Sequence, residues 1–194
     1  MLFINEKKYF MMAFFTTSRE IRLWFYVILV IVAIITTLIY GGAMASTMDQ
    51  EQQGALFFFT MIAIAATILL HGFITRPGKA EITIWLGLTA VYIMLFARLG
   101  FAERSHLFEY SVLAICIHKA LIERVQNGKN IPKPGLITFL AAFVIGGLDE
   151  LIQLFLPNRV FDIVDILFNG FVAFFAIGSS SVILWVRKKM STHK

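Results

Sequence analysis

Residues 135–186 read GLITFLAAFVIGGLDELIQLFLPNRVFDIVDILFNGFVAFFAIGSSSVILWV. Two apolar runs stand here, Gly135–Phe155 and Val160–Val186. Each is long enough for the roughly 20 residues that a helix needs to cross hydrocarbon. Between them LFLPNRVF leaves no room for a long loop. Pro157 ends the first helix and the second begins almost at once, which predicts an antiparallel helical hairpin. The same stretch carries Asp149, Glu150, Gln153, Arg159, Asp162, Asp165 and Asn169. An ionisable side chain in hydrocarbon costs several kcal/mol unless it is paired or faces water, so the hairpin holds polar groups that need partners.

Working outward, four more apolar runs precede the hairpin: Leu23–Tyr40, Ala55–Ile74, Ile82–Ala97 and His106–Ile122, the last interrupted by Glu109, His118 and Lys119. The chain is 59% hydrophobic and 15% charged, too apolar for an ordinary soluble domain. The predicted fold is an all-α, polytopic transmembrane helical bundle of six spans. It has one membrane domain, residues 23–186, with a lead-in at 1–22 and a basic tail at 187–194. The lone Cys116 lies in an apolar run and reads as packing. Nothing at the start of the chain resembles a cleavable signal peptide.

The net charge of +5 suggests nucleic acid only until the basic residues are placed. With a cytoplasmic N-terminus, the inside holds Lys7, Lys8, Arg19, Arg22, Arg76, Lys79, Lys119, Arg124, Lys129, Lys133, Arg187, Lys188, Lys189 and Lys194, and the outside only Arg98, Arg104 and Arg159. Such a bias sets orientation: both termini lie in the cytoplasm, and the partners are membrane lipids, not nucleic acid. All three outside arginines border the acidic segments. Six of the twelve carboxylates, Glu103, Glu109, Asp149, Glu150, Asp162 and Asp165, lie in three short stretches.

Helical spacing sorts these residues into faces. In the fourth span Glu103, His106 and Tyr110 fall at i, i+3 and i+7, with Glu109 on the flank. In the fifth, Glu150 and Gln153 share a face, and Asp149 is rotated by about 100° so that both acids cannot point squarely at one ligand. In the sixth, Asp162, Asp165 and Asn169 align. Gly146, Gly147 and Gly170 permit close helix approach beside them. The topology gathers these faces at the outer ends of the helices, which predicts one pocket open to the external leaflet of the plasma membrane.

The pattern RSHLFEYSVLA, then GLDELIQLFLPNRVFDIVDILFNGFVA, resembles the VanZ-like family over roughly residues 98–180. The residues that carry it are Arg104, His106, Tyr110, Glu150, Gln153, Pro157, Arg159, Asp162, Asp165, Asn169 and Gly170. Many members are thought to have Lys where this chain has Arg104, which keeps the charge and changes the geometry. The family takes its name from low-level teicoplanin resistance. The resemblance therefore implies a cell-envelope location and contact with glycosylated or lipid-linked material.

Paired carboxylates flanked by arginines suit a glycosidase-like hydrolase, in which one acid is held protonated and another ionised. Glu109 and Glu150 are the candidate acid/base and nucleophile, in either order, with Asp165 as a third candidate catalytic residue. Arg98, Glu103, Arg104, His106, Tyr110, Asp149, Gln153, Arg159, Asp162 and Asn169 are candidate binding residues for a glycosylated lipid or envelope glycoconjugate. The alternatives are a non-catalytic VanZ-like binder contributing to teicoplanin-type resistance, and a polar network that only locks helices together. A metal on His106, Asp162, Asp165 and Glu150 is a weaker reading, because one His among scattered acids is a poor signature and arginines oppose a cation. No metal and no cofactor is assigned. A transporter is disfavoured by the short chain, the lack of a repeat and the one-sided charges. His71, His118, Trp24, Trp85 and Trp185 read as interfacial residues at helix ends, and Asp49 and Glu51 as solvated loop charges.

Overall fold

The computed structural model describes residues 15–56, 58, 59, 62, 66, 78–99, 101–156 and 159–191, with backbone alone at 44, 45, 80, 97, 101–103, 190 and 191. Five helices have described bounds: α1 (Ser18–Thr47), α2 (Lys79–Arg98), α3 (Phe101–Gln126), α4 (Pro134–Gln153) and α5 (Ile163–Ser191). Residues 50–56 are also helical, but most of the second predicted span, Ala55–Ile74, lies outside the described residues, as do His71, Arg76 and Pro157. Every described element is helical. Among the described residues, three helical stretches are long and apolar enough to cross a membrane: Ser18–Ala43, Pro134–Gln153 and Ile163–Lys189; Glu81–Phe96 is a shorter apolar helix.

The helices outrun the apolar runs that predict them, because backbone hydrogen bonding continues wherever nothing in the sequence stops it. At α1 the stop signal is a cap. Thr17 Oγ1 accepts the Glu20 N–H at 3.0 Å, and Glu20 reaches back to the Thr16 N–H at 2.7 Å, a variant of the capping box. The helix at residue 50 begins the same way: Asp49 Oδ1 accepts the Gln52 N–H and Gln52 Oε1 accepts the Asp49 N–H. Asp49, expected as a plain loop charge, is therefore an exposed helix cap. The α3 terminus uses Gly128 at φ 84°. Lys129 N–H bonds Arg124 O and Gly128 N–H bonds Val125 O, the two bonds of a Schellman motif.

The chain divides into two compact units. The first holds Met1–Ile35 and Leu99–Ser180, and the second Thr36–Arg98 and Ser181–Lys194. In the first unit α3 is the central helix. Leu107, Tyr110, Ser111, Leu113, Ala114, Ile117, His118, Ala120 and Leu121 are all buried, too many positions for a single stripe. This accounts for the weak hydropathy of α3, since a helix enclosed by other helices can carry charge that a lipid-facing helix cannot. His118, expected at the interface, is instead buried.

α3 packs against α4, and Ala114, Ala142, Ala173 and Ala176 form a tight core shared by α3, α4 and α5, with Ile115 and Ile177 against it. Small residues at such a seam let backbones approach closely. α4 and α5 are an antiparallel hairpin, as the spacing predicts: Gly135 faces Ile177, Gly170 faces Phe143 and Gly146 faces Asn169. In the second unit Arg187 near the end of α5 pairs with Glu81 at the start of α2, with Nε to Oε1 2.6 Å.

Candidate functional site

Gly146 on α4 is the point where three helices meet. A Cβ there would stand 3.0 Å from Asn169 Cβ on α5, 3.3 Å from Asn169 Nδ2 and 3.3 Å from Tyr110 Cε1 on α3. Only a residue without a side chain lets these groups converge. Gly170, one residue beyond Asn169, is pressed against the Phe143 ring, where a Cβ would lie 2.9 Å from Cδ2. Tyr110 and Asn169 are both fully buried. α3, α4 and α5 therefore meet at Tyr110, Gly146 and Asn169.

Asp149 and His106 complete the junction. His106 Nδ1 stands 3.8 Å from Asp149 Oδ2, and both side chains are buried. That separation is too long for a hydrogen bond. The His106 and Tyr110 rings, one helical turn apart, lie nearly parallel at 6.0 Å. Asp149 has His106, Tyr110, Arg159 and Asp165 as electrostatic neighbours. The result is an enclosed set of polar atoms with unfilled hydrogen bonding: His106 Nδ1 and both amide atoms of Asn169 have no partner, and the Tyr110 hydroxyl has the Asp149 carboxylate as its neighbour.

Glu150 is fully buried but differently employed. Its Oε1 accepts Gln153 Nε2 at 2.7 Å and its Oε2 accepts the Asp162 N–H at 3.2 Å. One carboxylate thus ties the end of α4 to the approach of α5. Asp162 is exposed, and its Oδ1 accepts the Val164 N–H at 2.8 Å, so its side chain caps α5 and does not enter the junction. Asp165 is half-buried among the neighbours of Asp149 and Glu150. Asp149 and Glu150, expected to diverge, both turn inward: His106, Asp149 and Glu150 each offer a ligand atom within 4.8 Å of the others. Adjacent residues on a helix differ by about 100°, but two flexible side chains of unequal length span that angle.

Glu109 is half-buried and adds to the field at Tyr110. Arg104 Nε donates to Leu99 O at 3.0 Å, which holds the start of α3. Arg98 is exposed at the end of α2, in the second unit. The Glu103 side chain is outside the described residues. Among the two predicted catalytic glutamates, only Glu150 joins His106 and Asp149, and both its oxygens already accept hydrogen bonds.

A second buried polar cluster escapes the sequence reading. Glu20 is fully buried and its carboxylate receives Thr16 N–H and Oγ1–H, Trp24 Nε1–H and Arg124 Nε–H, the last at 3.0 Å. Next to it Glu123 accepts Thr17 Oγ1–H at 3.0 Å and faces Arg19 Nε at 3.5 Å. The start of α1 is thereby clamped to the end of α3, and Trp24, expected as a lipid anchor, is a donor in the clamp. TTSRE ahead of an apolar run is a legible cap signal, but the partner about a hundred residues away is not. Trp185 is exposed, with Lys189 Nζ 5.1 Å from its ring centroid.

No curated protein and no solved structure matches the chain. The family model described as VanZ/LLP1 matches residues 23–185, and so takes in the first helices as well as the polar motifs of the second half. Apolar helices that can cross a membrane, and a three-helix junction built from the residues of the resemblance, thus stand in a chain that belongs to the VanZ/LLP1 family.

Proposed function

We propose that the junction of α3, α4 and α5 binds the polar part of a glycosylated lipid or envelope glycoconjugate, at the outer face of the plasma membrane. One observation carries this reading. His106 and Asn169 enclose polar atoms that lack hydrogen-bond partners, in one junction with the Tyr110 hydroxyl and the Asp149 carboxylate. Each such atom left unmet costs about 1–3 kcal/mol, more when charged, a cost that a purely structural network avoids by closing on itself. The set includes acceptors, a hydroxyl and an amide, which is what sugar hydroxyls and peptide groups complement. The family membership is compatible with a non-catalytic protein of this kind.

A catalytic reading rests on the close approach of His106 and Asp149 beside the Tyr110 hydroxyl. These are groups able to take and return a proton at a bound ligand. It replaces the Glu109 and Glu150 pair, since Glu150 is held by Gln153 and the Asp162 backbone. The test is binding of lipid-linked sugars, glycolipids and teicoplanin to the purified protein in nanodiscs, with product analysis of each mixture. Saturable binding that falls at least tenfold in Asn169→Ala and Tyr110→Phe, in variants that melt within a few degrees of wild type, supports the binding site. Product formed by wild type and lost in Asp149→Asn supports catalysis. Equal binding by wild type and both binding variants sinks the assignment.

A further inference from the structure

We propose that His106, Asp149 and Glu150 form a site for one divalent transition-metal ion of the zinc class. This rests on reading the junction as a ligand site and deepens it.

Three buried side chains from two helices offer ligand atoms that all lie within 4.8 Å of one another. Ligands on a tetrahedral zinc, each about 2.0–2.1 Å from the metal, stand roughly 3.3–3.5 Å apart. The His106 Nδ1 to Asp149 Oδ2 separation of 3.8 Å is near that value. It is also longer than a hydrogen bond, so the two groups face one another without bonding directly. The independent observation is the set of unmatched atoms. His106 Nδ1 has no hydrogen-bond partner, and the fully buried Asn169 amide of the same junction has none either, while the Tyr110 hydroxyl neighbours Asp149.

Charge points the same way. Asp149 and Glu150 share their surroundings with the Asp165 carboxylate, and Arg159 is the guanidinium that bears on Asp149. Carboxyl groups thus outnumber the guanidinium around the three ligand atoms, and such an oxygen-rich set with one imidazole suits a divalent cation. One imidazole with two carboxylates favours a borderline ion such as zinc or cobalt over calcium or magnesium, which prefer oxygen alone. Three protein ligands leave a coordination position open toward the junction.

The test uses full-length protein in nanodiscs, stripped with chelator, equilibrated with zinc, desalted and assayed for bound metal. Cobalt is then substituted and its visible ligand-field bands recorded. The expected result is about one equivalent per chain and four-coordinate cobalt bands, both lost in His106→Gln and Asp149→Asn and both kept in Gly147→Ala. Wild type that retains less than about a tenth of an equivalent overturns the proposal. So does metal retained in full by both ligand variants, which places the ion elsewhere. If both variants fail to fold, the wild-type cobalt spectrum decides: octahedral, weakly absorbing cobalt refutes the site. Binding of glycoconjugate by metal-stripped protein is measured in parallel. Glycoconjugate binding by a protein that retains no metal refutes this inference alone, and metal retained without glycoconjugate binding refutes the ligand reading alone.

Discussion

The adjacent glycines of α4 give opposite predictions from one backbone. At Gly146 an added Cβ meets Asn169 Cβ at 3.0 Å, with Asn169 Nδ2 and Tyr110 Cε1 at 3.3 Å. Carbon atoms prefer about 3.5–4.0 Å, so the deficit is at least about half an ångström. Asn169 Cβ is fixed to the α5 backbone and cannot swing away, so α4 and α5 must part. Overpacking of this kind costs about 1–3 kcal/mol. Alanine returns up to about 1 kcal/mol through its helix propensity, leaving Gly146→Ala destabilised by about 0.5–2 kcal/mol. At Gly147 a Cβ meets nothing within 4 Å. There the propensity gain stands alone, and Gly147→Ala is expected to be stabilised by about 0.5–1 kcal/mol. Both variants would be unfolded in a graded mixture of SDS and mild detergent and followed by far-UV circular dichroism. The reasoning fails if Gly146→Ala resists denaturation as well as Gly147→Ala, because the three helices then do not meet where Gly146 sits.

Three further outcomes follow from the buried polar groups. Arg124→Ala removes one of four donors from a fully buried carboxylate, and breaking such a pair costs about 3 kcal/mol, the lower end of the range, because three donors remain. Its melting should fall well below that of Arg19→Ala, whose exposed guanidinium contributes little. Asp162→Ala loses the α5 cap and should cost about 1 kcal/mol in denaturant titration, with Asp162→Asn recovering most of it. Glu150→Leu strands the Asp162 N–H and the Gln153 amide, so a loss of at least about 2 kcal/mol is expected. A wild-type denaturation midpoint in that variant shows that the carboxylate does not tie α4 to α5.

Sequence by itself determined a good deal. Apolar runs of spanning length fixed the helical class, and LFLPNRVF fixed the hairpin of α4 and α5, because a link that short leaves two helices no other course. Periodicity put Glu103, His106 and Tyr110 on one face, and Asp165 and Asn169 on another, since helical geometry is local. Gly146 and Gly170 announced the close approach that their contacts display.

Only the tertiary structure decided how those faces are turned toward one another. Spacing gives angles about a helix axis, but not the rotation of the whole helix or the reach of each side chain. For that reason Asp149, expected to diverge from Glu150, stands against His106, while Glu150 also binds Gln153 and the Asp162 backbone. Asp162 shares the helical phase of Asn169, yet it precedes the first turn of α5 and so caps the helix. The Glu20 and Arg124 clamp lay beyond sequence reasoning for the same cause. Its halves are separated by most of α1, the residues up to α3 and α3 itself, and what pairs them is the packing of the bundle, a property of the whole chain.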